Sequence, residues 1–155
     1  MRPSVPAVLL LIPLLAAPAA AQGLPTGADR FTLPDVFELE WASSPQISPD
    51  GRQVVFQRMS MDIMKDRERS SLWIMNTDGT ALRPLLAPGR DAASPRWSPD
   101  GSRLLYVTEV EGRSEIVLRW MDRGEEARLT HLAKGPGGLA WSPDGQWIAF
   151  TMFVP

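Results

Sequence analysis

The chain has 155 residues, enough for one domain at most, and is 44% hydrophobic and 22% charged, ordinary globular values apart from 15 prolines and 6 tryptophans. With no cysteine, disulfides, thiolate zinc sites and cysteine-linked lipid are excluded. Its 16 cations and 18 acids form no basic cluster, which speaks against a nucleic-acid partner, since neutralising phosphates needs grouped Lys and Arg.

Residues 1–21 open with Arg2, run through the apolar "VPAVLLLIPLLAAPAA" and close on the small residues of "AAAQ". A cationic start, a short apolar core and a small-residue site describe a secretory signal peptide, with cleavage expected after Ala21. An uncleaved anchor fits less well, because the run is short for a span of ~20 residues and Pro13 and Pro18 interrupt it. Cleavage removes Arg2 and no acid, leaving 15 cations against 18 acids, a net charge of −3. The mature chain is expected to be exported, periplasmic or secreted, with no membrane attachment. Packing alone must hold it together, as is usual for a cysteine-free bacterial envelope protein.

Residues 22–42 read as a lead-in. "PDVFELEWA" at 34–42 carries Asp35, Glu38 and Glu40, whose spacing allows either a short helical turn or extended chain. A structural lead-in is preferred over an acidic binding site.

From there a turn repeats: "ISPDGRQVVFQ" from Ile47, "WSPDGSRLLYV" from Trp97 and "WSPDGQWIAFT" from Trp141. Ser48, Ser98 and Ser142 lie 50 and 44 residues apart, and a period of that size decides the fold before local propensity does. Proline presets φ near about −65° at the second turn position, Asp suits the third, and Gly accepts positive φ at the fourth. Further glycines recur at Gly79 and Gly124, and again at Gly89 and Gly135, so each unit divides into four short strands. In the second unit these are "SPRWS", "LLYVTE", "EIVLRWM" and "ARLTHLA", each bounded by turn formers. Val54 to Phe56, Leu104 to Tyr106 and Ile148 to Phe150 are apolar at consecutive positions, which requires both faces of the strand to be covered. Four-stranded antiparallel units covered on both faces and repeating at this period are β-propeller blades. Trp97 and Trp141 are expected in the layers between blades, with Ile47 in the same place in the first unit.

The fold expected is therefore all-β, a partial propeller with one blade at 43–89, a second at 94–135 and the first half of a third at 138–153. Propellers close with ~4–8 blades, so the chain reads as the front of a longer protein. Expressed alone, residues 22–155 are expected to aggregate or fold only in part, because an open stack leaves a bare strand edge and an apolar face.

Candidate chemistry is sparse. His131, the single histidine, alternates along the outer strand "ARLTHLA" and is read as solvated; a general base would need a nucleophile and an orienting acid. Asp50, Asp100 and Asp144 stand alone in separate turns, where local backbone bonds explain them and calcium, which wants several oxygens on one loop, does not. "KDRERS" at 65–70 reads as a solvated loop between the second and third strands of the first unit, with projection toward a substrate cavity as the alternative. Met59, Met61 and Met64 beside it read as gap-filling side chains. "GRSEI" at 112–116 comes nearest to a Gly-x-Ser-x-Gly nucleophile elbow, but it ends in Ile116 and lies before a strand. No catalytic, cofactor-binding or metal residue is assigned, and no cofactor is expected.

"FTLPDVFELEWASSPQISPDGRQVVFQR", "SLWIMNTDGTALRPLL", "SPRWSPDGSRLLYVTE" and "LAWSPDGQWIAFTMFVP" together resemble the N-terminal propeller of exported serine peptidases of the prolyl oligopeptidase family, the dipeptidyl- and acylaminoacyl-peptidase-like members especially. The resemblance covers residues 31–155. It implies a propeller limiting access to an α/β-hydrolase domain, absent from this chain, that cleaves small peptides through a Ser-Asp-His triad. The "SPDG" repeat is shared with TolB-like envelope propellers, so a non-enzymatic protein-binding scaffold is the alternative, and the propeller of an amidohydrolase-type enzyme a third. The short lead-in and the "WIAFTMFVP" ending favour the peptidase.

Overall fold

Repetition at the level of sequence becomes repetition of sheets. The structure, a computed structural model, describes Thr32 and residues 35–154; the expected signal peptide at 1–21 lies outside the described residues. A single helical turn, α1 (Asp35–Glu38), precedes ten strands: β1 (Trp41–Ile47), β2 (Gln53–Asp62), β3 (Arg67–Asn76), β4 (Arg83–Pro84), β5 (Ala92–Trp97), β6 (Arg103–Val110), β7 (Arg113–Trp120), β8 (Glu126–Arg128), β9 (Gly137–Trp141) and β10 (Ile148–Thr151). They form two four-stranded antiparallel sheets, in the orders β1-β2-β3-β4 and β5-β6-β7-β8, and a two-stranded sheet β9-β10. The lead-in thus contains a helical turn, begun by Asp35, whose carboxylate accepts the Thr32 N–H at 2.6 Å.

All three Ser-Pro-Asp-Gly turns adopt one geometry. In the second, the Gly101 N–H donates to the Ser98 carbonyl at 2.9 Å and Gly101 has φ 72°, which any L side chain would resist. The Ser98 hydroxyl donates to Asp100 at 2.5 Å and accepts the Arg103 N–H at 2.9 Å. Asp100 also accepts the Ser102 N–H at 3.1 Å. Equivalent bonds tie Ser48 to Asp50 and Ser142 to Asp144. A second irregularity recurs four residues before each turn serine: Ser44, Ser94 and Gly138 have φ of 49°, 56° and 57°. At all three the ladder shifts register, between Ser43 and Gln46, between Ala93 and Arg96, and between Gly137 and Ala140. These are bulges that bend the leading strand of each sheet.

The sheets stack face to face. Val55, Leu72, Ile74, Leu85 and Leu86 from the first meet Ala92, Leu104, Tyr106 and Val117 from the second. Leu105, Ile116 and Leu118, on the second sheet's other face, meet Leu139 from the third, flanked by Trp141 and Ile148. Alternation along β6 explains the division: Leu104 and Tyr106 point to one neighbour, Leu105 to the other. All three are fully buried.

Burial on both faces holds for the middle sheet alone. Val54 and Phe56 are half-buried, and Ala149 and Phe150 are exposed, because among the described residues the outer flanks of the first and third sheets have no sheet against them. Ile47 is likewise not in an intersheet layer but 65% exposed, on the free flank of the first sheet. Trp97 and Trp141 do pack between sheets. Each indole N–H also donates to a carbonyl of the preceding sheet, Trp97 to Gln46 and Trp141 to Arg96, both at 3.2 Å.

Candidate functional site

Two concave regions lie at opposite ends of the strands. The first is bounded by the β2–β3 hairpin, the β4–β5 connection and the end of β6, where Arg67, Gly89, Arg90, Asp91, Thr108 and Glu109 line a cavity of about 410 Å³. A neighbouring hollow of about 210 Å³ shares Arg67, Asp91, Thr108 and Glu109. Its charges are organised: Asp91 takes Arg67 at 3.2 Å and Arg69 at 3.1 Å, and Arg69 also donates to the Gly89 carbonyl at 2.8 Å. "KDRERS" is therefore mostly strand. β2 runs on to Asp62 and β3 resumes at Arg67, so ten consecutive pairs from Gln53–Asn76 to Asp62–Arg67 extend the hairpin beyond its counterpart in the second sheet. Met64 is not a gap filler. It stands 92% exposed at the tip beside exposed Ile63, whereas Met59 and Met61 are half-buried within β2.

Beneath this cleft a charged cluster ties the β4–β5 connection to the second sheet. Glu126 accepts Arg90 at 2.5 Å and Arg119 at 2.8 Å, and Arg90 lies over the Tyr106 ring, 5.6 Å from its centre. Burial is the largest single influence on Glu126 and works to raise its pKa, but the hydrogen bonds and charge of its partners, Arg90 foremost, add up to more and hold the carboxyl below its usual range. Tyr106 is buried with its hydroxyl lacking a hydrogen-bond partner, and burial pushes its pKa up. Nothing in the strand pattern marked this cluster, since Arg119 and Glu126 face each other only once β8 pairs with β7, and Arg90 lies 36 residues before Glu126.

The second region is a groove of about 410 Å³ along β1, β5 and β9, lined by their turn ends. Its floor carries Trp97 and Trp141, its rim the turn prolines, and Arg96 is the one charged lining residue. Arg96 donates to the Leu139 carbonyl at 3.0 Å and to the Pro95 carbonyl at 2.8 Å, bridging the second and third sheets.

The remaining sequence candidates stay apart. His131 lies beyond β8, not along an outer strand; it is exposed, with Nδ1 2.8 Å from Arg128. Within "GRSEI", Gly112 has φ 77° in the β6–β7 turn and Ser114 is on β7. Glu115 is the buried member: its carboxylate accepts the Thr130 hydroxyl at 2.6 Å and the Leu132 N–H at 3.2 Å, and the first of these lowers its pKa. The chain after β8 is held there by a side chain. Asp50, Asp100 and Asp144 are each committed to their own turn, as described above.

No family model matches the chain. It is 32% identical over 105 residues to dipeptidyl-peptidase 5 of Porphyromonas endodontalis, a match covering 68% of this chain and 15% of that protein. To the Tol-Pal system protein TolB of Hydrogenovibrio crunogenus it is 40% identical over 75 residues, covering 48% and 17%. Among solved structures, Pyrococcus horikoshii acylaminoacyl peptidase superposes with a TM-score of 0.61 at 16% identity, over 72% of this chain and 17% of that one. The β-propeller domain of the trilobed protease from Pyrococcus furiosus superposes with a TM-score of 0.56 at 21% identity, over 72% and 33%.

The chain is β-propeller. It is homologous to a segment of these peptidase and TolB proteins, and it spans about 15–17% of the length of the two curated relatives named above. The sheets are its blades, and β1, β5 and β9, which contact one another in succession, are the inner strands lining the axis of the propeller. The groove with Arg96 is thus axial, and the cleft with Arg67 and Asp91 opens on the opposite face.

Proposed function

We propose that this chain supplies the propeller portion of an exported serine peptidase, limiting access of small peptides to an α/β-hydrolase domain that cleaves them through an acyl-serine intermediate. The observation that carries the reading is homology to dipeptidyl-peptidase 5 across two thirds of the chain, supported by the peptidase propellers that share its fold. Within that reading the blades are access-limiting and positional, and the reacting groups belong to the hydrolase. The charged cleft and the Ile63–Met64 hairpin tip are the surfaces offered to the hydrolase and to the substrate. Export follows from the reading of residues 1–21 as a signal peptide; among the described residues no helix is long and apolar enough to cross a membrane.

The test is chemical. The protein is isolated from its native source by an antibody to this chain and treated with a fluorophosphonate probe. Labelling of a serine in the same polypeptide supports the peptidase. A second reading, a TolB-like protein-binding scaffold, is favoured by the higher identity of the shorter match; an unlabelled protein that co-purifies with an envelope partner would establish it instead.

A further inference from the structure

Arg90 is gripped from beneath and still faces the charged cleft. It follows Gly89 in the β4–β5 connection, where its N–H turns back to the Ala87 carbonyl at 3.4 Å. Its Nη1 donates to Glu126 at 2.5 Å and its Nε to the Thr108 hydroxyl at 3.4 Å, with the Tyr106 ring below the guanidinium. Thr108 is fixed in turn, since its hydroxyl donates to the Asp91 carbonyl at 2.7 Å. These bonds use two of the five N–H donors of a guanidinium, and Arg90 lines the cleft of about 410 Å³. Arg67 lines it too and gives Nη2 to Asp91 at 3.2 Å, which leaves it further donors. With Arg69 and Arg119 added, four arginines stand against Asp91, Glu109 and Glu126, an excess of one positive charge.

The Tyr106 hydroxyl is an independent observation at the same place. Tyr106 is fully buried, and its hydroxyl has no hydrogen-bond partner among the described residues, which leaves a desolvated donor at a cost to the fold. It lies close enough to Glu126 for each to influence the other's protonation, yet the two are not aligned as a hydrogen bond. A donor kept that near and unused fits a second arrangement of the cluster. We propose that the cleft binds the carboxylate of a short peptide: the acid takes paired N–H donors of Arg90 and draws the guanidinium toward the cleft, and the Tyr106 hydroxyl then donates to Glu126 in its place. Arg119 remains on Glu126 at 2.8 Å, so that carboxylate keeps a cation in both arrangements. Paired, planar donors match a carboxylate. Asp91 and Glu109 in the lining disfavour a dianion such as phosphate by repulsion, and the volume suits a small molecule. The carboxylate follows from the charges alone; its being part of a peptide rests on the peptidase reading above.

Calorimetric titration of the intact protein that carries this chain tests the site, after fluorophosphonate treatment to stop any turnover. Binding is then read whether or not a serine is labelled, so the site and the peptidase reading fail separately. The probes are N-acetyl-Ala-Ala, with a terminal carboxylate, and N-acetyl-Glu amide, with a side-chain one. Each is compared with its neutral counterpart, N-acetyl-Ala-Ala amide or N-acetyl-Gln amide. At least one acid should bind about tenfold or more tightly than its counterpart, the scale of a hydrogen bond to a charged group, and the tighter acid identifies the source of the carboxylate. Arg90→Gln should abolish binding. Arg90→Lys, which keeps a cation for Glu126 but not the paired donors, should weaken it about tenfold. Arg58→Gln, on the outer part of the first blade beside Glu40, should leave it unchanged. Tyr106→Phe removes an oxygen that has no partner without ligand, so the melting temperature of the free protein should not fall, while affinity should drop about tenfold. Equal binding of acids and amides overturns the proposal, as does phosphate binding more tightly than either acid, or full affinity in both Arg90 variants. A Tyr106→Phe protein that melts lower and binds with unchanged affinity marks the tyrosine as structural and overturns it too.

Discussion

At the residue scale, the turn aspartates show how one carboxylate can hold a reversal. Asp100 accepts the hydroxyls of Ser98 and Ser102 and the Ser102 N–H. The Ser98 hydroxyl is the largest influence, and together they hold the Asp100 pKa at about 2, against an ordinary 3.8. A depressed folded-state pKa means that the unfolded chain binds the proton more readily. The stabilisation is therefore complete above pH 3.8 and is lost as pH falls through about 2. Asp100→Asn should flatten that limb of the acid-unfolding curve and lower stability at neutral pH by about 1 kcal/mol, the scale of a net hydrogen bond; urea titrations at a series of pH values measure both. Gly138 makes a second case. Its φ is +57°, and a Cβ there would stand 3.0 Å from Thr151 Oγ1. Gly138→Ala should cost about 1–2 kcal/mol from the left-handed backbone alone, whereas Gly112→Ala, at a similar φ but with nothing within 4 Å, escapes the added clash. Thermal unfolding of the pair separates conformational strain from contact.

At the scale of elements, strands were legible wherever apolar residues ran between turn formers, and least so at the blade edges. β4 has two residues and β8 three. Pro84, which cannot donate to a ladder, is tolerated on an edge strand of this kind. "ARLTHLA" looked like a strand through His131, yet β8 ends at Arg128; one more backbone bond follows, from the Leu129 N–H to the Ile116 carbonyl at 2.9 Å, and the chain beyond is held by Glu115 through Thr130 and Leu132. That carboxylate is distant in sequence and gives no periodic signal. "KDRERS" erred the other way. Charge suggested loop, but each residue from Arg67 to Ser70 has a β2 partner, and cross-strand pairing outweighs polarity on a solvated hairpin. The inner strands carry a further prediction. Trp97→Phe keeps the ring in its layer but removes the N–H given to the Gln46 carbonyl, and it should destabilise the chain by about 1 kcal/mol. Chemical denaturation, with circular dichroism as the readout, measures that loss.

At the scale of the whole molecule, the fold is a stack and not a globule with one core. Each apolar layer lies between two sheets, so stability accumulates seam by seam as in other repeat architectures. Among the described residues only the middle blade has both faces covered, and Ile47 and Trp147 are exposed on the outer flanks of the first and third. Export belongs to this scale too. The signal-peptide reading predicts that the mature protein begins at Gln22, and N-terminal sequencing of protein recovered from an envelope or culture fraction should find it there; a start at Met1 in that fraction would contradict the reading.

The blade repeat, the turn chemistry and the resemblance to peptidase propellers were all determined by the sequence alone, because a turn depends on residues adjacent in the chain and a period can be counted. Tertiary structure alone decided which faces are covered, that Arg90, Arg119 and Glu126 converge beneath a cleft, that Glu115 is buried, and that Met64 caps an extended hairpin. Those outcomes depend on which strand lies beside which, from the 7 residues between Arg119 and Glu126 to the 36 between Arg90 and Glu126, and the sequence does not specify such neighbours until the sheets have paired and stacked.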